Sequence, residues 1–533
     1  MKFFNTLLLA AVSCSTLIAF QGRYKGAEAI TANQLRDYLS FIASDELEGR
    51  DTPSRGLNTA AKFIAINLSR WGIKPGGDKG TYFQSIELRR TKVDAQQSWM
   101  EINGQKFWFG KDFLAFGPSA AVTGKLVFVG YGYRVAKKNY NSFNGVDVKG
   151  KIIVKFAGRP KFLSNADFTG KMGEDWDGAI SYGFRNGAVG ILLIPDFPTL
   201  AGWEQDQRLT SAVGTVLVEN FITPSTPALP VLTLSPRAAV SLFQGEQMNG
   251  NQVMNALTSS DSVAGFEFTE SKKVSFNLAV TLEKVWTQNV VGILEGSDGS
   301  LKKEYVAVGA HYDHVGIGSA MDGDSIWNGA DDDGSGTVSV LSIAEALAKG
   351  PRPKRSVLFV WHAGEEKGLW GSRYFVNNPT VPLKEIVAQL NIDMVGRSKK
   401  EGDTIPRNKE LSGPNEVYVI GSKMMSSALG NLSESVNKSF LNLSFNYTYD
   451  DPKDPNRFFF RSDHFNYAQK GIPIIFYFDG VHEDYHQRGD EWQKIDYNKM
   501  EKVARTVYAM LWELGGDMKR PKVDKELPKE LKE

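Results

Sequence analysis

The chain has 533 residues, more than one ordinary domain holds, and its 42% hydrophobic and 23% charged residues sit near globular averages. Those figures exclude a disordered chain, a collagen-like fibre and a multi-span membrane protein. Lys and Arg number 62 against 61 Asp and Glu, so a formal charge of +1 draws the chain to no nucleic acid, and the single cysteine, Cys14, excludes an intrachain disulfide and CxxC zinc or redox chemistry.

In chain order, residues 1–22 come first and read as an export signal. Lys2 supplies the positive start and residues 3–20 are mostly apolar. Cys14 follows Ala11-Val12-Ser13, as at a bacterial lipoprotein processing site, but Leu17 to Phe20 stay apolar after it. The expected location is therefore exported: periplasmic, extracellular or an outer-membrane lipoprotein, with membrane attachment only through the N-terminus. No other stretch reaches the ~18 apolar residues of a membrane span.

Residues 28–112 read as the N-terminal part of a larger domain. Thr31 is placed to cap a helix with an apolar face of Leu35, Leu39 and Ile42. A second helix carries Phe63, Ile64, Leu68 and Trp71 and stops at Gly72. Over 115–275 the texture changes to short β-rich runs at 126–129, 152–156, 191–194 and 231–234, with a helix over 177–185 and no histidine. This segment reads as an inserted α/β module. From 280 to 515 strand and helix alternate, with strands at 305–308, 356–361, 386–392 and 472–478 and a helix over 337–348. The expected architecture is α/β: a mixed, mostly parallel sheet flanked by helices. Residues 519–533 form a charged tail.

All six histidines lie beyond residue 310. In open α/β sheets ligands bind past the carboxyl ends of strands, so the residues following each strand matter most. These are His311-Tyr312-Asp313, His362 to Glu366, Asp393 and Asp484-Tyr485-His486, with the loop Asn328 to Gly336 opening a helix. Imidazoles and carboxylates gathered at one sheet edge repel unless a cation neutralises them, and without thiolate they suit zinc or a harder transition metal. Two metal ions sharing a carboxylate account for the number of donors. His311 and Asp393 fall to one ion, Glu366 and His486 to the other, and Asp331 to the bridge. Glu365, beside a ligand, stands where a general base belongs. Asp313 is placed to accept the other ring N–H of His311 and fix its tautomer.

These segments resemble the M28 zinc peptidases, which include bacterial aminopeptidases and glutamate carboxypeptidases. The likeness rests on His311-Tyr312-Asp313, Gly329-Ala330-Asp331-Asp332, Glu365-Glu366, Asn391-Ile392-Asp393-Met394, Ser462-Asp463-His464 and Tyr485-His486, with Leu47-Glu48-Gly49-Arg50 nearer the start. It implies a zinc exopeptidase-like fold, two zinc ions per chain, the bridge on Asp331, the base on Glu365, and peptide substrates. The insertion is similar to a protease-associated domain in Val146 to Lys151 and Gly187 to Gly190. Some members carry a tyrosine before the Ser-Asp-His segment; here Phe458-Phe459-Phe460-Arg461 stand there. That leaves Arg457, Arg461, Tyr447, Tyr449 or the metal to stabilise an oxyanion.

The expected function is an exported dinuclear zinc exopeptidase, foremost an aminopeptidase. The alternatives are a carboxypeptidase or dipeptidase of the same fold, a glutaminyl cyclase-like aminoacyltransferase, and a non-catalytic binding module. His314, His362, His464 and His482 read as structural, and His482 yields to His486 because Tyr485-His486 matches the motif. Asp332 and Asp333 read as shaping the turn and helix start, Asp463 as orienting backbone, and Phe458 to Phe460 as core.

Overall fold

The computed structural model describes residues 24–223, 228–259, 263–321 and 323–528. The export segment and Cys14 lie outside the described residues. The chain divides into two compact units, Met1–Ile86 with Trp286–Glu533, and Glu87–Val285.

The first unit begins with two amphipathic helices. Helix α1 (Ala32–Ile42) starts where the Thr31 hydroxyl accepts from Gln34 N–H, and it buries Leu35, Leu39 and Ile42. Helix α2 (Arg55–Arg70) is capped by Ser54, buries Ile64 and Leu68, and ends before Gly72, which sits at φ 73°. The chain returns to the first unit within β1 (Val280–Leu294), and β2 (Tyr305–His311), α3 (Gly336–Lys349), β3 (Ser356–His362), α4 (Trp370–Asn377) and β4 (Ile386–Ile392) follow. Then follow β5 (Glu416–Ile420), α5 (Ser427–Ser439), β6 (Ser444–Asn446), α6 (His464–Gln469), β7 (Ile474–Phe478) and α7 (Tyr497–Leu514).

The strands lie in the order β1-β3-β2-β4-β7-β5-β6. β2, β3, β4 and β7 are parallel, whereas β1 and β5 join antiparallel. Every residue of β3, β4 and β7 is buried, as expected of parallel strands covered on both faces. One face packs on α1, α2, α3 and α7 through Leu39, Ile64, Leu341 and Val507. On the other face Phe375 of α4 and Tyr467 of α6 pack in one cluster with Phe476 of β7. The α/β architecture with a mixed sheet flanked by helices is the one expected.

The second unit holds a six-stranded sheet in which Leu126–Phe128, Ile152–Phe156, Gly190–Ile194 and Val231–Leu234 run parallel. Trp99–Ile102 pairs with Val274–Leu278, which in turn pairs with Ala120–Gly124 in a smaller sheet. That pairing draws residues before 115 into this unit, which is why it is wider than the β-rich segment of the sequence.

Candidate active site

Side by side in the parallel register, the carboxyl ends of β2 and β3 set His311 opposite His362. Asp393 follows β4 directly. The loop before α3 supplies three consecutive aspartates, and the turn after β3 supplies Glu365 and Glu366. His486 comes from the segment after β7, held at φ 53°.

These side chains converge. His311 Nε2 lies 3.2 Å from Asp332 Oδ1 and 3.6 Å from Asp393 Oδ1. His486 Nε2 lies 3.0 Å from both Asp332 Oδ2 and Glu366 Oε2. Donor atoms of His311, Glu365 and Asp393 fall within 4.8 Å of one another, and so do those of His314, Asp332 and Glu366. The structure thus brings together His311, Glu365, Glu366, Asp393 and His486.

Asp331 does not join them, and Asp332 takes the central place instead. Asp332 is in extended backbone, φ −100° and ψ 100°, so its neighbours' side chains point away from its own. Asp331 accepts from Gly396 N–H at 2.6 Å and sits 3.2 Å from His482 Nε2. Asp333 accepts from the N–H groups of Gly336 and Met394. The peptide between Asp332 and Asp333 is cis. Asp490 receives the N–H groups of both Asp331 and Asp332 at 3.0 Å, fixing the loop from behind. The turn-shaping role expected of Asp332 therefore belongs to Asp331, Asp333 and Asp490.

Asp313 also acts otherwise than expected. His311 Nδ1 meets its main-chain carbonyl at 3.1 Å, while its carboxylate is 3.6 Å away. That carboxylate accepts the Glu365 N–H at 3.2 Å and so seats the residue beside the cluster. Ser462 Oγ donates to Asp393 Oδ2 at 2.6 Å and itself accepts from Asn391 Nδ2 at 2.9 Å. Asp463, expected to orient backbone, instead sets its carboxylate 3.4 Å from His362 Nδ1. His314, buried, reaches Glu366 Oε1 through Nδ1 at 2.7 Å, where a structural role was expected.

The Leu47-Glu48-Gly49-Arg50 segment has a structural purpose. The fully buried Arg50 guanidinium donates to the carbonyls of Tyr312, Asn328 and Gly329 and to Ile42. It therefore pins the loop after β2 to the loop before Asp331.

Electrostatics follow from crowding acids in a dry place. Burial, then the charges of Glu366, Asp393 and Asp463, pushes the Glu365 carboxyl well above its usual range against the pull of His311. Burial opposes the charged form of His486, but Asp332 and Glu366 outweigh it and hold the imidazole at about 10. His311 is likewise raised, because Asp393 and Glu365 overcome its burial. The cluster wants positive charge. Asp332 Oδ2 is buried without a hydrogen-bond partner despite the nearby imidazole, and His314 Nε2 is unpartnered too. Imidazole and carboxylate donors in this state fit a divalent cation such as zinc.

The match to known proteins agrees with this geometry. Residues 289–511 match the sequence model of peptidase family M28. This segment belongs to that family. The M28 segment runs from within β1 into α7 and holds every residue of the cluster, while Arg50 reaches it from outside. A protein of Arthroderma benhamiae named "Probable leucine aminopeptidase" is 29% identical over 221 residues, which are 40% of this chain and 54% of that protein. The chain thus spans about half the length of the curated relatives it matches. An aminopeptidase from Aneurinibacillus sp. strain AM-1 has a similar fold, with a TM-score of 0.54 and 16% identity over 94% of this chain and 97% of its own. A zinc aminopeptidase from Bacillus subtilis gives 0.53 and 18%, covering 91% of this chain and 95% of its own.

Proposed function

We propose that the chain is a zinc aminopeptidase holding two ions, one by His311 and Asp393, the other by Glu366 and His486, with Asp332 shared. The observation that carries this reading is that His311, Asp332, Glu366, Asp393 and His486 line one cavity beside a half-buried Glu365. Zinc, when bound, supplies Lewis acidity and lowers the pKa of a water to near neutrality.

The chain's own groups do the rest. Glu365, seated by Asp313, takes the proton of the attacking water and passes it to the leaving amine. A small cavity adjoins the cluster, and Met394, Phe458, Phe476, Phe478 and Val481 form its apolar wall. An apolar first residue of the substrate fits that wall, and the surrounding carboxylates favour its free α-amino group. Of the side chains considered for oxyanion support, Arg461 lines this cavity, with the Tyr485 hydroxyl 3.4 Å from its Nη2, while Arg457, Tyr447 and Tyr449 do not.

The test is elemental analysis of zinc-replete protein together with hydrolysis of leucine p-nitroanilide and its N-acetyl form. Two zinc ions per chain and cleavage of the free amine alone are expected. Preference for the acetylated compound, or for peptides attacked from the carboxyl end, refutes the aminopeptidase reading; one ion per chain refutes the shared role of Asp332.

A further inference from the structure

The second unit contains a groove that this chemistry does not use. Strand Ile152–Phe156 places Lys155 beside Leu193 in the parallel register, and Ile191, Val231 and Phe116 continue the same face strand by strand. Helix Ala179–Arg185 covers part of that face, where Ala179 joins Ile153, Ile191 and Val231 in a buried cluster. The rest remains open as a groove walled by Phe116, Met172, Trp176, Ile180 and Leu193 with Lys155 among them. Phe116 and Met172 are 41% and 49% exposed, unusual for large apolar side chains on a sheet face and its rim.

Two donors in this apolar groove lack acceptors. Among the described residues Lys155 has no ion pair; its Nζ lies 5.4 Å from the centre of the Tyr133 ring. The nearby acid, Asp196, is engaged in capping Phe197–Ala201 by accepting from Thr199 N–H at 3.0 Å. Trp176 Nε1 is buried without a hydrogen-bond partner. Burial pushes the Lys155 ammonium down to about 8, with Asp196 only partly offsetting it. The Lys155 stem is also held in place. Gly132, at φ 68°, leaves it room, since a Cβ there would stand 3.1 Å from Lys155 Cε. Lys155 is half-buried, and an anion joining it in the groove would offset the cost of keeping its charge among apolar walls.

We infer that this groove binds the free C-terminal carboxylate of a peptide whose last residue is apolar, with Lys155 and Trp176 N–H holding the carboxylate and Phe116, Met172 and Leu193 the side chain. Unpaired positive charge selects the anion, and the walls select the apolar body. A free amino acid is disfavoured because its ammonium group would face Lys155. The choice of a peptide as the source rests on the peptidase reading.

The experiment uses the full zinc-loaded chain and calorimetric titration with N-acetyl-Ala-Ala-Phe, its C-terminal amide, and decanoate. The acid is expected to bind at least tenfold more tightly than the amide. Lys155→Met should weaken the acid at least tenfold and Trp176→Phe about threefold, with leucine p-nitroanilide hydrolysis unchanged in both. Equal binding of acid and amide, or unchanged binding in Lys155→Met, overturns the proposal; decanoate binding without peptide binding overturns the peptide as occupant. Should Lys155→Met fail to fold, Trp176→Phe decides alone through the ratio of acid to amide binding: a ratio lowered about threefold supports the proposal, and an unchanged ratio overturns it. Loss of p-nitroanilide hydrolysis in the wild type counts against the peptidase reading and leaves the acid-over-amide result standing for the groove.

Discussion

Replacing Glu365 by Gln separates the chemistry from the fold. The amide keeps the shape of the side chain and the N–H bond from Glu365 to Asp313, 3.2 Å long, because that bond is made by the backbone. What disappears is the proton acceptor. A positioned general base contributes roughly 10²–10⁴ in rate, or about 2.7–5.5 kcal/mol of barrier. The metal-free fold should move the other way. Glu365 and Asp393 offer oxygens within 4.8 Å of each other, and two like charges at that separation repel by roughly 3 kcal/mol at an effective dielectric near 20. His311 offsets part of this, so the gain from Gln is smaller than the pair repulsion. The assay measures leucine p-nitroanilide turnover at saturating zinc, zinc content, and thermal unfolding after chelation. A rate within tenfold of wild type with zinc retained refutes the base assignment. A chelated variant less stable than the chelated wild type refutes the electrostatic account.

Asp332→Asn should lose zinc and at least 10³-fold of turnover, whereas Asp331→Asn keeps its zinc and falls by less than tenfold; zinc content per chain of the two variants reverses the assignment if their order is swapped. Arg50→Met strands four carbonyls and should destabilise the unit by at least ~3 kcal/mol in urea unfolding, against a reasoned cost of about 1–3 kcal/mol for each unsatisfied group. His464 is buried, contacts the Phe459 carbonyl through Nε2 at 2.8 Å, and burial lowers its pKa to about 3. The folded value lies below the unfolded one near 6.5, so its stability contribution is present above pH 6.5 and is lost as pH falls toward 3. At pH 4.5 the loss is about 1.36 × 2.0, or roughly 2.7 kcal/mol, and His464→Asn should show an unfolding free energy that falls less by that amount between pH 7 and 4.5.

Much of the first unit was legible because parallel strands announce themselves. Runs such as 357–361 are apolar throughout, being covered on both faces, and the polar residues after them mark the strand ends. Thr31 and Gly72 likewise act where capping chemistry puts them. The identity of the central aspartate was not legible. Asp331, Asp332 and Asp333 are chemically alike, and which faces the cavity depends on local dihedrals and on partners far along the chain, Gly396, Met394 and Asp490. The same holds for Asp313, whose main chain orients His311 while its side chain serves Glu365. Spacing in sequence cannot separate those two functions. The use of His314 is likewise set far along the chain, by Glu366, 52 residues later.

The acids around the cluster divide by what satisfies them, and that division carries mechanistic sense. Asp331, Asp333 and Asp490 are held by backbone N–H groups, which cannot leave. Asp332, Glu366 and Asp393 face imidazoles and, for Asp393, a serine hydroxyl. Imidazoles can surrender a proton and turn their ring nitrogens to a cation without breaking the loop that carries them. Charge around the cation site is therefore exchangeable, while charge behind it is locked into the scaffold. An isolated anionic pocket of this size would destabilise the fold; here the backbone-bound acids and Arg50 hold the loops while the inner acids are left to the ligand. Rigidity of the outer ring is what lets the inner ring stay reactive.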